Sequence, residues 1–237
     1  GEVFATKLNQ LSAQENVNPD DYTLNAAGYV VRKDQLGTPQ ERPYKLRDEN
    51  GNPLVQSIGD INPDFRMGFA HHLGYKGLQL YTLFDWKKGG QIYNLTKQWL
   101  YRDFRHGDVS QYSDIAAGFY GSEGLYNGLV ANNHFVEDGS FFMLREAAIS
   151  YNFTTVAFAE SLRLSLIGRN LFTKTRYSGF HPDISSVPRD ENTLSNRLRH
   201  GRGSDLRTPG GDPGVFFVDA FNYPLARTYT LSLQVVF

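Results

Sequence analysis

The sequence predicts an all-β chain: an antiparallel transmembrane β-barrel segment of about six strands, with long extracellular loops. Three observations carry this expectation. First, in residues 227–237 Tyr229, Leu231, Leu233, Val235 and Phe237 share one parity, whereas Thr228, Thr230, Ser232 and Gln234 share the other. Side chains on a strand alternate between faces, so this strand has one wholly apolar face and one small, polar face, broken only by Val236. Second, long connections (12–62, 88–140, 172–226) alternate with short ones (75–77, 154–161). Outer-membrane barrels pair long extracellular loops with short periplasmic turns in this way. Third, no run of ~18 apolar residues occurs, which excludes a spanning helix but not a strand whose apolar residues hide in alternation.

Composition agrees. Glycine (23), Phe (17), Tyr (14) and Trp (2) suit strands, turns and interfacial aromatic girdles. The net charge of -1 gives no polyanion-binding signal. Without cysteine there is neither a disulfide frame nor a thiolate site. The start, Gly1-Glu-Val-Phe-Ala, lacks the charged and apolar regions of a signal peptide, so an exported chain of this kind is expected to be a mature form or a fragment.

Taken in order, residues 2–11 are read as a strand without clean alternation. Residues 12–62 are polar and punctuated by Asn18-Pro19, Gly37-Thr-Pro39 and Asn50-Gly51-Asn52-Pro53, which predicts a long loop with a small hairpin around Tyr29–Val31. Phe65, Met67, Phe69, Leu73 and Tyr75 then share a face, interrupted by His71. A turn at 75–77 returns the chain through Leu78, Leu80, Thr82, Phe84 and Trp86, which makes a hairpin. A second long segment, 91–139, has room for a short helix between Ile92 and Phe104. In the strand Phe141–Phe153, Ala147, Ile149, Tyr151 and Phe153 form an apolar row into which Arg145 falls, while Leu144 takes the other parity. A bulge there, or a place for Arg145 at the membrane rim, resolves the conflict. Leu162, Leu164 and Leu166 alternate with Arg163, Ser165, Ile167 and Arg169 in the next strand. A third long segment rich in Arg, Gly and Pro precedes the final strand.

Several stretches carry chemistry. Trp99, Tyr101 and Tyr112 in the second long segment are candidates for stacking on sugars or touching a partner, or for a small core within the loop. Arg197, Arg199 and Arg202, with Arg207 and His200, are candidates for an anionic ligand or lipopolysaccharide phosphate; Asp190, Glu191 and Asp205 partly balance them. His71 and His72 are strand neighbours on opposite faces and cannot chelate one metal together, so no metal site is expected. Asp48-Glu-Asn-Gly-Asn52 lacks the later bidentate acid and the glycine position of a calcium loop. Asn94-Leu-Thr96 matches a glycosylation sequon, a short pattern that an ordinary loop also produces. Nothing fixes Glu146 and Glu160 at the separation of a glycosidase pair, and neither a nucleophile motif nor a phosphate-binding loop is present. No enzymatic activity and no cofactor are expected.

A family resemblance adds to this reading. Ile58-Gly-Asp-Ile-Asn-Pro-Asp-Phe-Arg-Met-Gly-Phe69, Tyr75-Lys-Gly-Leu-Gln-Leu80 and Phe84-Asp-Trp-Lys-Lys-Gly-Gly-Gln-Ile-Tyr-Asn94 come in order. Leu144-Arg-Glu-Ala-Ala-Ile-Ser-Tyr151, Gly168-Arg-Asn-Leu-Phe172, Tyr177-Ser-Gly-Phe-His-Pro-Asp183 and Tyr223-Pro-Leu-Ala-Arg-Thr228 follow, with Phe237 last. Together they resemble the C-terminal quarter of SusC/RagA-type TonB-dependent outer-membrane transporters. The resemblance spans nearly the whole chain and is weakest over residues 1–57. His181 departs from it, standing where the family usually has an acidic residue.

The resemblance implies that residues 1–237 are the C-terminal portion of a barrel of about 22 strands, with the plug and earlier strands outside this chain. It implies uptake of oligosaccharides or peptides gated by the TonB complex, and a SusD-like surface lipoprotein over the extracellular mouth. It also implies an outer-membrane location with a periplasmic C-terminus, and a barrel-assembly signal in the row Tyr229, Leu231, Leu233, Val235 and Phe237. The alternative from alternation and loop aromatics alone is a soluble β-sandwich carbohydrate-binding module.

Overall fold

The long strands fall where alternation is clearest. The computed structural model describes residues 1–110, 114–126, 130–154, 159–184 and 218–237. In chain order come β1 (Tyr22–Leu24), β2 (Val30–Arg32), β3 (Pro63–Tyr75), β4 (Leu78–Gly89) and β5 (Gln91–Asn94). Helices α1 (Leu95–Arg102), α2 (Gly107–Ser110) and α3 (Asp114–Tyr120) follow. Then come β6 (Val136–Asp138), β7 (Phe141–Phe153), β8 (Ser161–Thr175), β9 (Val218–Asp219) and β10 (Thr228–Val236). These form two units. The first takes Gly1–Asp60, Ile92–Glu137 and Ile184–Phe221; the second takes Ile61–Gln91, Asp138–Asp183 and Asn222–Phe237.

The second unit is a five-stranded antiparallel sheet in the order β10-β8-β7-β4-β3. Its long strands have 13, 12, 13 and 15 residues in β3, β4, β7 and β8, and 9 in β10. A tilted strand crosses a bilayer core in about 9–11 residues, so four of them are long enough to reach beyond it. The β3–β4 connection is a two-residue turn with both φ angles positive, 44° at Lys76 and 85° at Gly77. That geometry follows the right-handed twist of the flanking strands. Gly77 is required there: a Cβ would sit 2.9 Å from the carbonyl oxygen of Asn152.

The predicted parity conflict in β7 is resolved by a bulge. The pairing with β4 shifts between Leu83 and Phe84, because Leu83 faces Glu146 and Phe84 faces Leu144, so Arg145 is the extra residue. The pairing with β8 shifts at the same place, where Asn170 has a φ of 53°. Leu144 thereby joins the apolar row, and Arg145 turns to the polar face with Glu146.

The expected strand over residues 2–11 is not a sixth member of this sheet. Glu2 and Phe4 make only isolated bridges, and Leu8–Ala13 is a 3-10 helix. The reason is local: Glu2, Val3, Phe4 and Ala5 are all buried in succession, a pattern that a half-buried strand of period two cannot give. These residues instead build the interior of the first unit, where Val3, Ala5, Leu11, Val30 and Leu46 pack together. The hairpin expected near Tyr29–Val31 is β1 paired with β2. The short helix expected in 92–104 is α1, capped by Asn94, whose Oδ1 accepts from the Lys97 amide at 2.8 Å.

The first unit is also held by a buried polar chain. Tyr101 donates to Asp108 Oδ2 at 2.5 Å, and its oxygen lies 3.0 Å from His134 Nε2. His134 Nδ1 is 2.7 Å from the Tyr29 hydroxyl. Because Tyr101 gives its proton to the carboxylate, Nε2–H donates to Tyr101 and Nδ1 accepts from Tyr29. Burial, helped by nearby Lys97, pushes the His134 pKa down to about 3. The imidazole is therefore neutral at ordinary pH and suits this chain.

The sign of the linkage follows. Below about pH 6.5 the unfolded chain takes up a proton that folded His134 refuses, so stability falls as pH drops toward 3. Amide exchange over 92–137 in the full-length protein, corrected for intrinsic rates, is expected to lose protection from pH 7.5 to pH 5. His134→Gln should flatten that loss, leaving the smaller contribution of His106, which burial also depresses. Equal slopes in the two proteins would contradict the assignment.

Candidate functional site

The most developed surface is one face of the five-stranded sheet. Pairing registers bring apolar residues into ranks that cross every strand. One rank runs Leu73, Leu80, Ile149, Leu166, Leu231; the next runs Tyr75, Leu78, Tyr151, Leu164, Leu233. Toward the other end, Phe69, Phe84, Leu144 and Phe172 form a rank through β3, β4, β7 and β8, with the Phe84 and Phe142 rings stacked at 5.5 Å. Side chains of the first two ranks stay uncovered, from 39% exposed at Leu80 to 72% at Leu231, whereas Phe84 and Leu144 in the third are half-buried. Exposed apolar patches beyond a few hundred Å² are rare on proteins that face only water.

The opposite face is polar in the same register. Gly74, Gln79, Ser150, Ser165 and Ser232 make one rank. Arg163 donates across it to Gln79 Oε1 at 2.8 Å and Ser150 Oγ at 3.1 Å. Arg169 and Glu146 pair at 2.8 Å, which gives Glu146 an ionic partner on the neighbouring strand. Nearer the β3 start, Asp85 accepts from Arg66 at 2.7 Å and from Arg145 at 2.8 Å. Asp183 accepts from the same two guanidiniums, at 3.4 Å from Arg66 and in close contact with Arg145. Both arginines also lie by the Phe141 ring, at 5.5 and 5.8 Å. Two carboxylates shared by two guanidiniums tie β3, β4, β7 and the segment after β8 together. The sequence placed Arg145 and Asp183 in separate motifs, and no spacing linked them.

The predicted site residues separate. Tyr101 is fully buried with Val109, Tyr126 and Phe135, so the structure places it in the core of its own segment. Trp99 is half-buried on α1, with the Arg102 guanidinium 3.5 Å from its ring centre and Phe221 edge-on at 5.9 Å. Tyr112, Arg197, Arg199 and Arg202 lie outside the described residues. Tyr229, Leu231, Leu233 and Phe237 are exposed on the apolar row and Val235 is half-buried. Asp48 spends its carboxylate on its own turn, accepting from the Asn50 and Asn52 amides at 2.9 Å. In the sequon, Asn94 is buried as the α1 cap and Thr96 donates to Asp219 at 3.1 Å.

No family model matches the chain. TonB-dependent receptor P26 of Formosa agariphila is 26% identical over 213 residues, covering 81% of this chain and 19% of that receptor. TonB-dependent receptor P3 of the same organism is 28% identical over 202 residues, covering 80% and 18%. Among solved structures, the RagAB peptide importer in its open-open state covers 92% of this chain and 22% of that chain, with a TM-score of 0.52 and 18% identity. The resemblance to SusC/RagA-type TonB-dependent transporters holds. The structural likeness speaks for the fold: this is wall of the RagA barrel type. The chain spans about a fifth of the length of the curated relatives it matches.

The two faces make unequal demands on substitution. In the full-length protein unfolded by denaturant from lipid, Leu231→Arg puts a cation in hydrocarbon, at a cost of roughly 2–4 kcal/mol near the midplane and ~0–1 near an interface. Leu231→Arg is expected to cost more than Leu233→Arg, whose rank adjoins the β3–β4 turn, and Leu166→Arg, its rank neighbour, to cost a similar amount. Gln234→Arg on the polar face should cost little. Equal damage from Gln234→Arg and Leu231→Arg would mean the faces are reversed.

Proposed function

We propose that this chain forms part of the wall and extracellular loops of a TonB-dependent outer-membrane importer of oligosaccharides or peptides. The observation that carries the reading is the apolar face, in register across five strands and uncovered. In a soluble sandwich that face would meet a second sheet about 10 Å away. A bilayer accounts for it without one, because lipid takes the place of the second sheet. The helices give no competing route: among the described residues none is long and apolar enough to cross a membrane, which says nothing against strands.

In this reading residues 1–237 are the C-terminal portion of a barrel of about 22 strands. The plug and the TonB-contacting segment belong to other parts of the same protein. The β3–β4 turn and the β7–β8 connection are periplasmic. The first unit and the segment before β10 are extracellular, where a SusD-like lipoprotein and the cargo meet the barrel. The names of the relatives support import, and the peptide importer among the solved structures supports peptide as one cargo class. The row ending at Phe237 serves as the signal read by the barrel-assembly machinery.

Topology tests this directly, since the chain has no cysteine of its own. Cysteines introduced at Asn50 and Tyr223 in the full-length protein should react with an impermeant reagent on intact cells. Cysteines at Lys76 and Thr154 should react only after the outer membrane is opened; the reverse pattern would invert the topology. Uptake of cargo should cease in a strain without TonB, and persistence of uptake there would defeat the importer reading. Deleting Phe237 should leave transcription unchanged while lowering the outer-membrane level severalfold.

A further inference from the structure

The first unit contains an open cleft of about 340 Å³ that the importer reading does not use. Its walls come from the β1–β2 hairpin and from the extended segment that follows. Bridges from Phe4 to Lys45 and from Arg47 to Pro53 hold that segment straight, so Lys45 and Arg47, two residues apart, project to the same side. Arg32, Arg42, Lys45 and Arg47 all line the cleft, and among the described residues Glu123 is its only acidic one.

Three of the four cations have ion partners. Arg32 pairs with Asp34 at 2.8 Å and Lys45 with Glu2 at 2.7 Å, and neither of those acids lines the cleft. Arg42 pairs with Glu123 at 2.6 Å. Arg47 donates to the Gly51 carbonyl at 2.6 Å and makes no ion pair among the described residues. A guanidinium carries five N–H donors, so one bond to a carbonyl leaves most of them available. Between the cations lie apolar surfaces: Tyr22 and Tyr44 meet edge to face at 5.3 Å, and Lys45 stands 5.3 Å from the centre of the Phe4 ring.

We propose that this cleft binds a sugar unit bearing a carboxylate or sulfate, which makes an acidic oligosaccharide the cargo class it recognises. The described wall carries four cationic side chains against one carboxylate, so it favours a ligand that brings an anionic acceptor. A sugar acid does so through its anion and adds ring and hydroxyl oxygens, and its C–H faces pack against tyrosine and proline. The volume lies at the low end for ligand sites and fits roughly one or two sugar units. The proposal rests on the importer reading only for placing the cleft on the outer side of the membrane.

The test is calorimetry on the purified full-length receptor with four probes: a galacturonate trimer, a sulfated trisaccharide, a neutral trisaccharide and triglutamate. At low salt an acidic trisaccharide should bind at least about tenfold more tightly than the neutral one, the scale of a charge-assisted hydrogen bond. That advantage should shrink as salt screens the cations. Arg47→Gln should weaken acidic-sugar binding about tenfold, with Arg47→Lys retaining part of it. Unchanged migration of the folded barrel on unheated gels shows that the variants are assembled. Equal affinity for acidic and neutral sugars, or indifference to Arg47→Gln, overturns the proposal. Tighter binding of triglutamate overturns the saccharide assignment in favour of an acidic peptide. Binding is measured without TonB, so uptake that persists in a strain without TonB, with binding intact, would fault the importer reading alone.

Discussion

A one-residue slip between neighbouring strands carries every side chain to the opposite face. The five-stranded sheet has no tolerance for such a slip, because its ranks match apolar to apolar from β3 to β10 and serine to serine across β7, β8 and β10. The register is pinned at two places. At one end the two-residue turn at Lys76 and Gly77 allows a single pairing of β3 with β4. Toward the other end the bulge at Arg145 changes the parity of β7 at the one position where a charge would otherwise enter the apolar row. The ion cluster then holds the bulge, since Arg145 reaches Asp85 and Asp183 only from the polar face. Arg145, Asp85 and Asp183 are largely buried, and a buried ion pair repays its desolvation only in good geometry, so the cluster's role is to select a geometry.

The long connections obey a different economy. Ordering a residue costs about 1–2 kcal/mol of backbone entropy, so a segment of this length stays ordered only if it buries something. The first unit does so with contacts between distant parts of the chain. Phe4 and Asn133 exchange backbone-to-side-chain hydrogen bonds at 2.9 and 3.0 Å, and Tyr29 meets His134 across a sequence separation of 105. A connection with its own interior presents fixed side chains outward. The cation-lined cleft depends on this, since Glu2, the acid that orients Lys45, is buried in the same packing.

The sheet was legible in the sequence because its signal is local. Alternation over 228–237, the turn at 75–77 and even the bulge at Arg145 show in runs of about a dozen residues. The first unit was not, because its interior is assembled from single residues with no common period: Phe4, Val31, Phe119 and Leu125 form one cluster. Read singly, Tyr101 suited either an exposed aromatic or a small core within the loop; it is buried because α1, capped by Asn94, turns it toward Phe135 and His134. Trp99, two residues earlier on the same helix, points to a different side and stays half-buried. The cations of the cleft were invisible for the same reason. They lie between Arg32 and Arg47 without a motif, and only the folding of the hairpin against the following segment brings them together.

The backbone makes the last link between fold and setting. Strands β3 and β10 lie at the two edges of the sheet, and an edge strand carries a row of N–H and C=O groups directed away from its neighbours. In water such a row is solvated. In hydrocarbon each unsatisfied group costs several kcal/mol, so an open sheet with a lipid-facing side needs further strands on both edges until the wall closes. In the importer reading those strands come from the rest of the same protein. A closed wall also explains why the apolar ranks run through to both edges, with Leu73 on β3 and Leu231 on β10 as exposed as the leucines and isoleucine between them or more so. A sheet that ended in water would gain nothing from an apolar edge, whereas a barrel needs the same lipid-facing row on every strand.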